Sequence, residues 1–500
     1  MKLWTPLSCA AVVIFLFAAS ASAQMPASGG DSTESAQRLL KREIIDALSG
    51  LIKEPEAREL PNLLDYADQT ETVQRDGKEY TVWNRAISAA LDEGAGVWIP
   101  ASEQPYYIDR PIVMASGDSI RAEPQARICA VPGMKTCMVR NQHIVPGRAA
   151  PLDTTAKPDT DLTITGGVWS QESTVRSETN GVSDADNPIQ GTAGILLFSN
   201  VRRVSITHLK IEKGAPFAVH LSNGSDIYVS DVTVETNCDG IHLNGPMSRA
   251  VVEKIVCERT GDDCIALNAW DWPWSAPTCG PMNMILVQNC RTLGKALKDI
   301  RLLAGVLIYP DGQTLDCPIT NVVLRNLDGF NYFKLYAQAP VGMAESCRVG
   351  TLDAVYFDTI RTPLTGTIRP NWTENYYGGT PKSCGNAAPF SILSNGGLLS
   401  FENLTIATPP NADGTPCIFH VGPESANTND PEKPLDIFMS DAQAAVGTIA
   451  LANIVGADGQ PYPNPEKLVK EVRLSVNPDF PQSRPRGGVG SGTVERVTVE

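Results

Sequence analysis

The sequence predicts an all-β chain wound as a parallel β-helix, a solenoid closed by an N-terminal capping helix. Three observations carry this: a strand pattern that repeats every 23 residues, a second strand that keeps phase with it, and an amphipathic stretch ahead of the coils.

The repeat comes first, because self-similarity at a fixed period identifies stacked architectures. Val204-x-Ile206-x-x-Leu209-x-Ile211 returns as Ile227-x-Val229-x-x-Val232-x-Val234 and as Ala250-x-Val252-x-x-Ile255-x-Cys257, both at steps of 23. It returns again at Ile285-x-Val287-x-x-Cys290, a step of 35 that implies an insertion of 12 residues, and more loosely at Val322, Val355 and Leu399. Period-two alternation marks strands, and the two-residue skip marks a bend. The second strand of each coil is Val219-His220-Leu221, then Ile241-His242-Leu243, Ile265-Ala266-Leu267 and Ile300-Arg301-Leu302. Its phase persists across coils, which an evenly spaced β-sandwich would not require.

Trp83 to Leu91, "WNRAISAAL", has helical apolar spacing. An open first coil would expose an apolar end and a strand edge, so this helix is assigned as the cap. The residues divide into a signal peptide (1–23), a partly helical leader (24–60), the β-helix with its cap (61–425) and a partly irregular C-terminal extension (426–500). The opening "MKLWTPLSCAAVVIFLFAASASAQ" has the basic start, apolar stretch and small residues of a secretory signal, so a secreted or periplasmic location is expected. No later run reaches the roughly 18 apolar residues of a membrane span. Eleven of the 12 cysteines lie beyond residue 23, and export makes disulfides an expectation, with an odd thiol left over. No cysteine or histidine spacing suits zinc. A net charge of −15 disfavours nucleic acid and anionic membrane as partners. The oligomeric state is unassigned.

Within each Ile-x-Leu strand the middle residue points away from the core. Aligned by phase, His220, His242, Ala266 and Arg301 form one outward column, read as facing solvent. Two positions before the inward apolar residue lies a second column: Phe217, Asp239, Asp263 and Lys298, with Asp262 beside Asp263. Neighbouring coils stand about 4.7 to 4.9 Å apart. Carboxylates held that close cannot all ionise cheaply, so at least one should keep its proton. An acid, a base and cations on one ridge are the equipment of glycosidic bond cleavage. Single aspartates in Asp-Gly turns are common turn chemistry, but a solenoid built only for stability should avoid stacked like charges. Clustered aspartates also suit calcium.

"NCDG" followed 23 residues later by "GDDCIAL" resembles the Asn-x-Asp-Gly and Gly-Asp-Asp-Cys motifs of the polygalacturonases, glycoside hydrolase family 28, within the pectin-lyase-like superfamily. The specific match spans about residues 237 to 305, and the wider one about 81 to 406. The resemblance implies a right-handed helix and inverting hydrolysis, with Asp262 as general acid and Asp239 and Asp263 activating water. It implies no cofactor. The chain diverges in lacking the family's Gly-His-Gly motif, where Lys298 occupies the histidine position, and in placing Leu303 where the family has the lysine of Arg-Ile-Lys.

The insertion "NAWDWPWSAPTCGP" follows these residues directly. Trp270 and Trp272, with Trp274, are candidates for stacking on sugar rings. Asn268, Asp271, His242, Lys298 and Arg301 complete the candidate substrate contacts, although Asp271 also reads as a solvated turn residue and His220 as a plain surface one. "RPNWTENYYGG", residues 369 to 379, is a candidate opposite wall. The expected partner is a carbohydrate, and the expected activity is a glycosidase acting on a poly- or oligosaccharide. The alternatives are a polysaccharide lyase using Lys298 or Arg301 with aspartate-bound calcium, and a non-catalytic glycan-binding β-helix.

Overall fold

The computed structural model describes residues 30–52, 58–134, 136–144, 156–172, 194–214, 217–271, 278–293, 299–309, 311–330, 332–336, 347–362, 388–406, 418–422, 443–471, 473–475 and 489–500. The chain divides into two units, Met1–Leu40 and Lys41–Glu500. In the first, the described part is the opening of helix α1 (Gly30–Ser49). Everything below concerns the second.

The second unit is mostly strand, with few helices. Its long strands pair in parallel with their own copies, in the registers that the repeat predicts. Val204 faces Ile227 and Ile206 faces Val229. Ile227 then faces Ala250, Ala250 faces Ile285, Ile285 faces Val322, and Val322 faces Val355. A second ladder runs beside it from Val219 through Ile241 and Ile265 to Ile300. Among the described residues, antiparallel pairs are confined to the hairpin Glu71–Arg75 with Lys78–Val82, a three-stranded sheet of Gly305–Ile308, Thr314–Cys317 and Cys347–Val349, the short pairing of residues 473–475, and a single bridge between Val455 and Pro461.

The two-residue skip has a concrete backbone form. Its second residue is left-handed in coil after coil: His208, Asp231, Lys254, Asn289, Asn326, Thr359, Asn403 and Asn453 all have φ between 51° and 59°. One such residue turns the chain between two strand runs. Short polar side chains tolerate that conformation best, which is why Asn and Asp recur there.

The inward residues fill a continuous apolar core from Leu63 to Leu468. Towards its C-terminal end the core becomes aromatic: Phe333 stacks on Phe390 at 4.5 Å, and Phe357 on Phe401 at 4.9 Å. Helix α2 (Asn84–Gly94) covers the start, burying Ala86, Ile87, Ala90 and Leu91. It begins one residue later than the predicted stretch and extends three beyond it. On the lateral face, Ile44 and Leu48 of α1 pack on Tyr228, Val251, Leu286, Val323 and Tyr356. Lys41 anchors the same turns through Asp358 (2.9 Å) and Glu402 (2.5 Å).

Two expectations are corrected here. The ladder does not stop near residue 425: Gln443–Val455 pairs in parallel with Gly396–Ile406 and with Val489–Val499, so strands of the expected extension belong to the stack. No disulfide joins the described cysteines, and Cys129, Cys257 and Cys290 are buried free thiols. The reason is packing: Cys257 and Cys290 fill inward core positions, and Cys129 is buried on the opposite face of its strand, beside Tyr107 and Ser170. Among the described residues no helix is long and apolar enough to cross a membrane.

Candidate active site

The site is built by two consecutive turns. Residues 237–240 lead from the strand Phe217–Thr236 into Ile241–Glu253, and residues 260–264 lead from Val256–Arg259 into Ile265–Asn268. The turns lie in direct contact. A Cβ on Gly261 would fall 2.0 Å from the Asn237 carbonyl oxygen, and one on Gly240 would fall 2.5 Å from that of Cys264. Real Cβ atoms do not approach so closely, so the glycines of "CDG" and "GDD" let the aspartates stack. The Asp263 amide donates to Asp239 Oδ1 at 3.2 Å, fastening one turn to the other.

Asp239, Asp262 and Asp263 thereby converge, with one oxygen from each inside a 4.8 Å group. Their environments differ. Asp239 and Asp263 are 1% and 0% exposed, whereas the Asp262 side chain remains 17% exposed. Beneath them lie two cations from later coils. Arg301 Nε makes an ionic contact of 2.9 Å with Asp263 Oδ2, out of line for a hydrogen bond, and its Nη2 lies 3.4 Å from Asp239 Oδ2. Lys334 Nζ stands 2.7 Å from Asp263 Oδ1, 3.0 Å from Asp299 Oδ2 and 3.9 Å from Asp262 Oδ1. Five carboxyl groups, counting Asp271, thus share Arg301, Lys334 and His242.

That imbalance shows in proton affinity. Burial pushes the Asp263 carboxyl up to about 7; Arg301 and Lys334 pull it down, and Asp262 and Asp239 add to the rise. For Arg301, burial works against the charge, but Asp263, Asp239, Asp271 and Asp262 outweigh it and hold the guanidinium well above its ordinary range.

The outward column is present as predicted: His220 pairs with His242, His242 with Ala266, and Ala266 with Arg301. It does not face solvent. His220 and His242 are completely buried, because Phe217 stacks on the His242 ring at 4.2 Å and Asp271 folds over its far side. Asp271, expected as a solvated turn residue, is likewise buried, accepting from Asn268 Nδ2 at 2.6 Å. Trp270 is also corrected: it is 0% exposed and packs in the apolar core, so it is no cleft wall. Trp272, Trp274, Lys298 and the loop 369–379 lie outside the described residues.

Lys334 and Asp299 were not found from the sequence. Lys334 continues the outward column one strand beyond Arg301, in register with it. The Phe333-x-Leu335 alternation carries that signal, but the irregular step hides it.

No family model matches the chain, and no curated protein does either. Among solved structures it is similar to an exopolygalacturonase from Thermotoga maritima, at 12% identity and TM-score 0.45 over 84% of this chain and 96% of that one. It is similar to a polygalacturonase from Erwinia carotovora at 11% and 0.40, over 82% and 96% of the two chains. The surface adhesin PfbA of Streptococcus pneumoniae is similar at 10% and 0.36, over 80% and 88%.

Proposed function

We propose that this chain is an exported glycosidase that hydrolyses a poly- or oligosaccharide, and that its two parallel ladders are faces of one right-handed β-helix. The observation that carries the reading is the unequal trio of aspartates: two buried and fastened to cations, one adjoining them and partly exposed. A stack of like charges is costly, and three side chains of this kind on two glycine-tightened turns suit proton transfer.

Asp262 can reach a bound sugar, so it is assigned as the acid that protonates the leaving oxygen. Asp239 and Asp263 are assigned to water. Their cation contacts keep them from moving out to bond a sugar carbon, so water delivers the new bond and the configuration inverts. The close oxygen spacing argues the other way, since inverting pairs usually stand about 6.5 to 9.5 Å apart. Anchoring is the stronger constraint here, because a nucleophile must travel to its target.

Hydrolysis is favoured over lysis by the same contacts. Of the two bases a lyase reading offers, Arg301 is committed to ion pairs, as is the neighbouring Lys334, and Lys298 lies outside the described residues. Those pairs also occupy the carboxylate faces that calcium would need. Incubation with a broad glycan panel tests the reading. New reducing ends of inverted configuration, insensitive to a chelator, are expected; unsaturated products absorbing in the ultraviolet would establish the lyase instead.

A further inference from the structure

We propose that His242 and Asp271 form a positioning couple for Asp239, the imidazolium bridging two buried carboxylates and fixing the rotamer of the one in the site. This rests on the glycosidase reading and replaces the expectation that both residues touch substrate. Neither can do so, since both side chains are 0% exposed.

The geometry is a closed relay. His242 Nδ1 lies 2.5 Å from Asp239 Oδ2, and its Nε2 lies 3.0 Å from Asp271 Oδ2. A neutral imidazole carries one N–H and would turn a lone pair towards one of these carboxylates. With both carboxylates ionised, only the protonated ring donates to each; Asn268 Nδ2, 3.4 Å from Nε2, is the longer contact there. Asp271 is held in turn by Asn268 Nδ2 at 2.6 Å and Asn244 Nδ2 at 3.3 Å. Asn244 Oδ1 accepts from His220 Nε2 at 2.6 Å, which ties the couple to the preceding coil.

The groups facing His242 are Asp239 on its own turn, Asp271 beyond the strand Ile265–Asn268, His220 with ring centroids 4.9 Å apart, and Arg301 through Asp239. Burial opposes a charge on His242, but its bonds to Asp239 and Asp271 raise it to about 9. For Asp271 burial works upward, and His242 and Arg301 outweigh it, holding the carboxyl below its ordinary range. Burial, then the charge on His242, pushes His220 down to about 3, so one histidine of the pair is charged and the other neutral.

Asp271→Asn, Asp271→Glu and His242→Gln in the full chain test the couple through kcat and KM from pH 5 to 10. Loss of the bridge should lower kcat by about a hundredfold, the effect of displacing a reacting group by about 1 Å, while KM stays within about twofold. The alkaline limb should move down by about one to three pH units in Asp271→Asn, and Asp271→Glu should restore most of both. A wild-type pH profile and kcat in Asp271→Asn would overturn the couple. Nitrogen-15 histidine spectra of the wild type decide the matter if the variants do not fold: two N–H protons on His242 at pH 8 support it, and a neutral ring at pH 7 overturns it. Wild type that cleaves no glycan defeats the glycosidase reading, while the spectra still judge the bridge.

Discussion

Lys334 Nζ lies 2.7 Å from Asp263 Oδ1, although the two residues are 71 positions apart and occupy different coils. Both side chains are buried, at 4% and 0% exposure. Their contact shows how the stacked strands assemble chemistry from distant segments: Asp239, the pair Asp262 and Asp263, the pair Asp299 and Arg301, and Lys334 come from successive repeats.

Lys334→Met leaves Asp263 and Asp299 facing each other without their common cation. Breaking a buried pair by removing one partner costs about 3 to 5 kcal/mol. Denaturant unfolding should show that loss, and Lys334→Met with Asp299→Asn should recover part of it. A single variant as stable as wild type would show that the cation is dispensable.

Stability should fall as pH rises from about 6.5 to 9. Asp263 is raised from its ordinary value to about 7, so the folded state holds its proton more tightly and the contribution of this group declines between those values. His242 is raised from 6.5 to about 9; its contribution is complete below 6.5 and lost through 9, on the order of 3 kcal/mol in all. Asp271 is lowered, so its contribution disappears only as pH falls below its ordinary range. His220 is lowered from 6.5 to about 3 and the buried His420 to about 4, so both gain stability as pH rises to 6.5 and offset the Asp263 decline there. Melting temperature against pH should therefore peak near 6.5. His242→Gln should flatten the segment above 6.5, and an unchanged slope there would remove His242 as its source.

Gly261→Ala places a methyl group 2.0 Å from the Asn237 carbonyl oxygen. The neighbour is backbone and cannot swing aside, so the turns must separate. The variant should lose about 1 to 3 kcal/mol or more, as overpacking does, and activity with it. A folded, fully active Gly261→Ala would show that the turn contact is not needed.

What the sequence displays of this molecule follows the range of each interaction. Strands, bends and the Asp239–Asp263 stacking were legible because period-two alternation and a 23-residue step are local signals, and Val204, Ile227 and Ala250 pair as that step requires. Lys334 was missed because coil steps lengthen beyond residue 267. The burial of His242 is not legible in the sequence, because pointing away from one ladder does not reveal what covers the residue, and Phe217 covers its ring. Trp270 was read from its insertion, yet the core claimed its ring. The cysteines were read from compartment, whereas their positions serve packing.

The most direct test of the proposed chemistry compares wild type with Asp262→Asn for the release of reducing ends from a cleaved glycan, alongside melting temperatures. Asp262 is the most exposed member of the trio, at 17%, and its contact with Lys334 is the longest of that lysine's three at 3.9 Å, so the substitution should cost less stability than Lys334→Met. Turnover should fall by about a hundredfold to ten-thousandfold, the usual worth of a positioned acid or base. Full activity in Asp262→Asn would contradict the account.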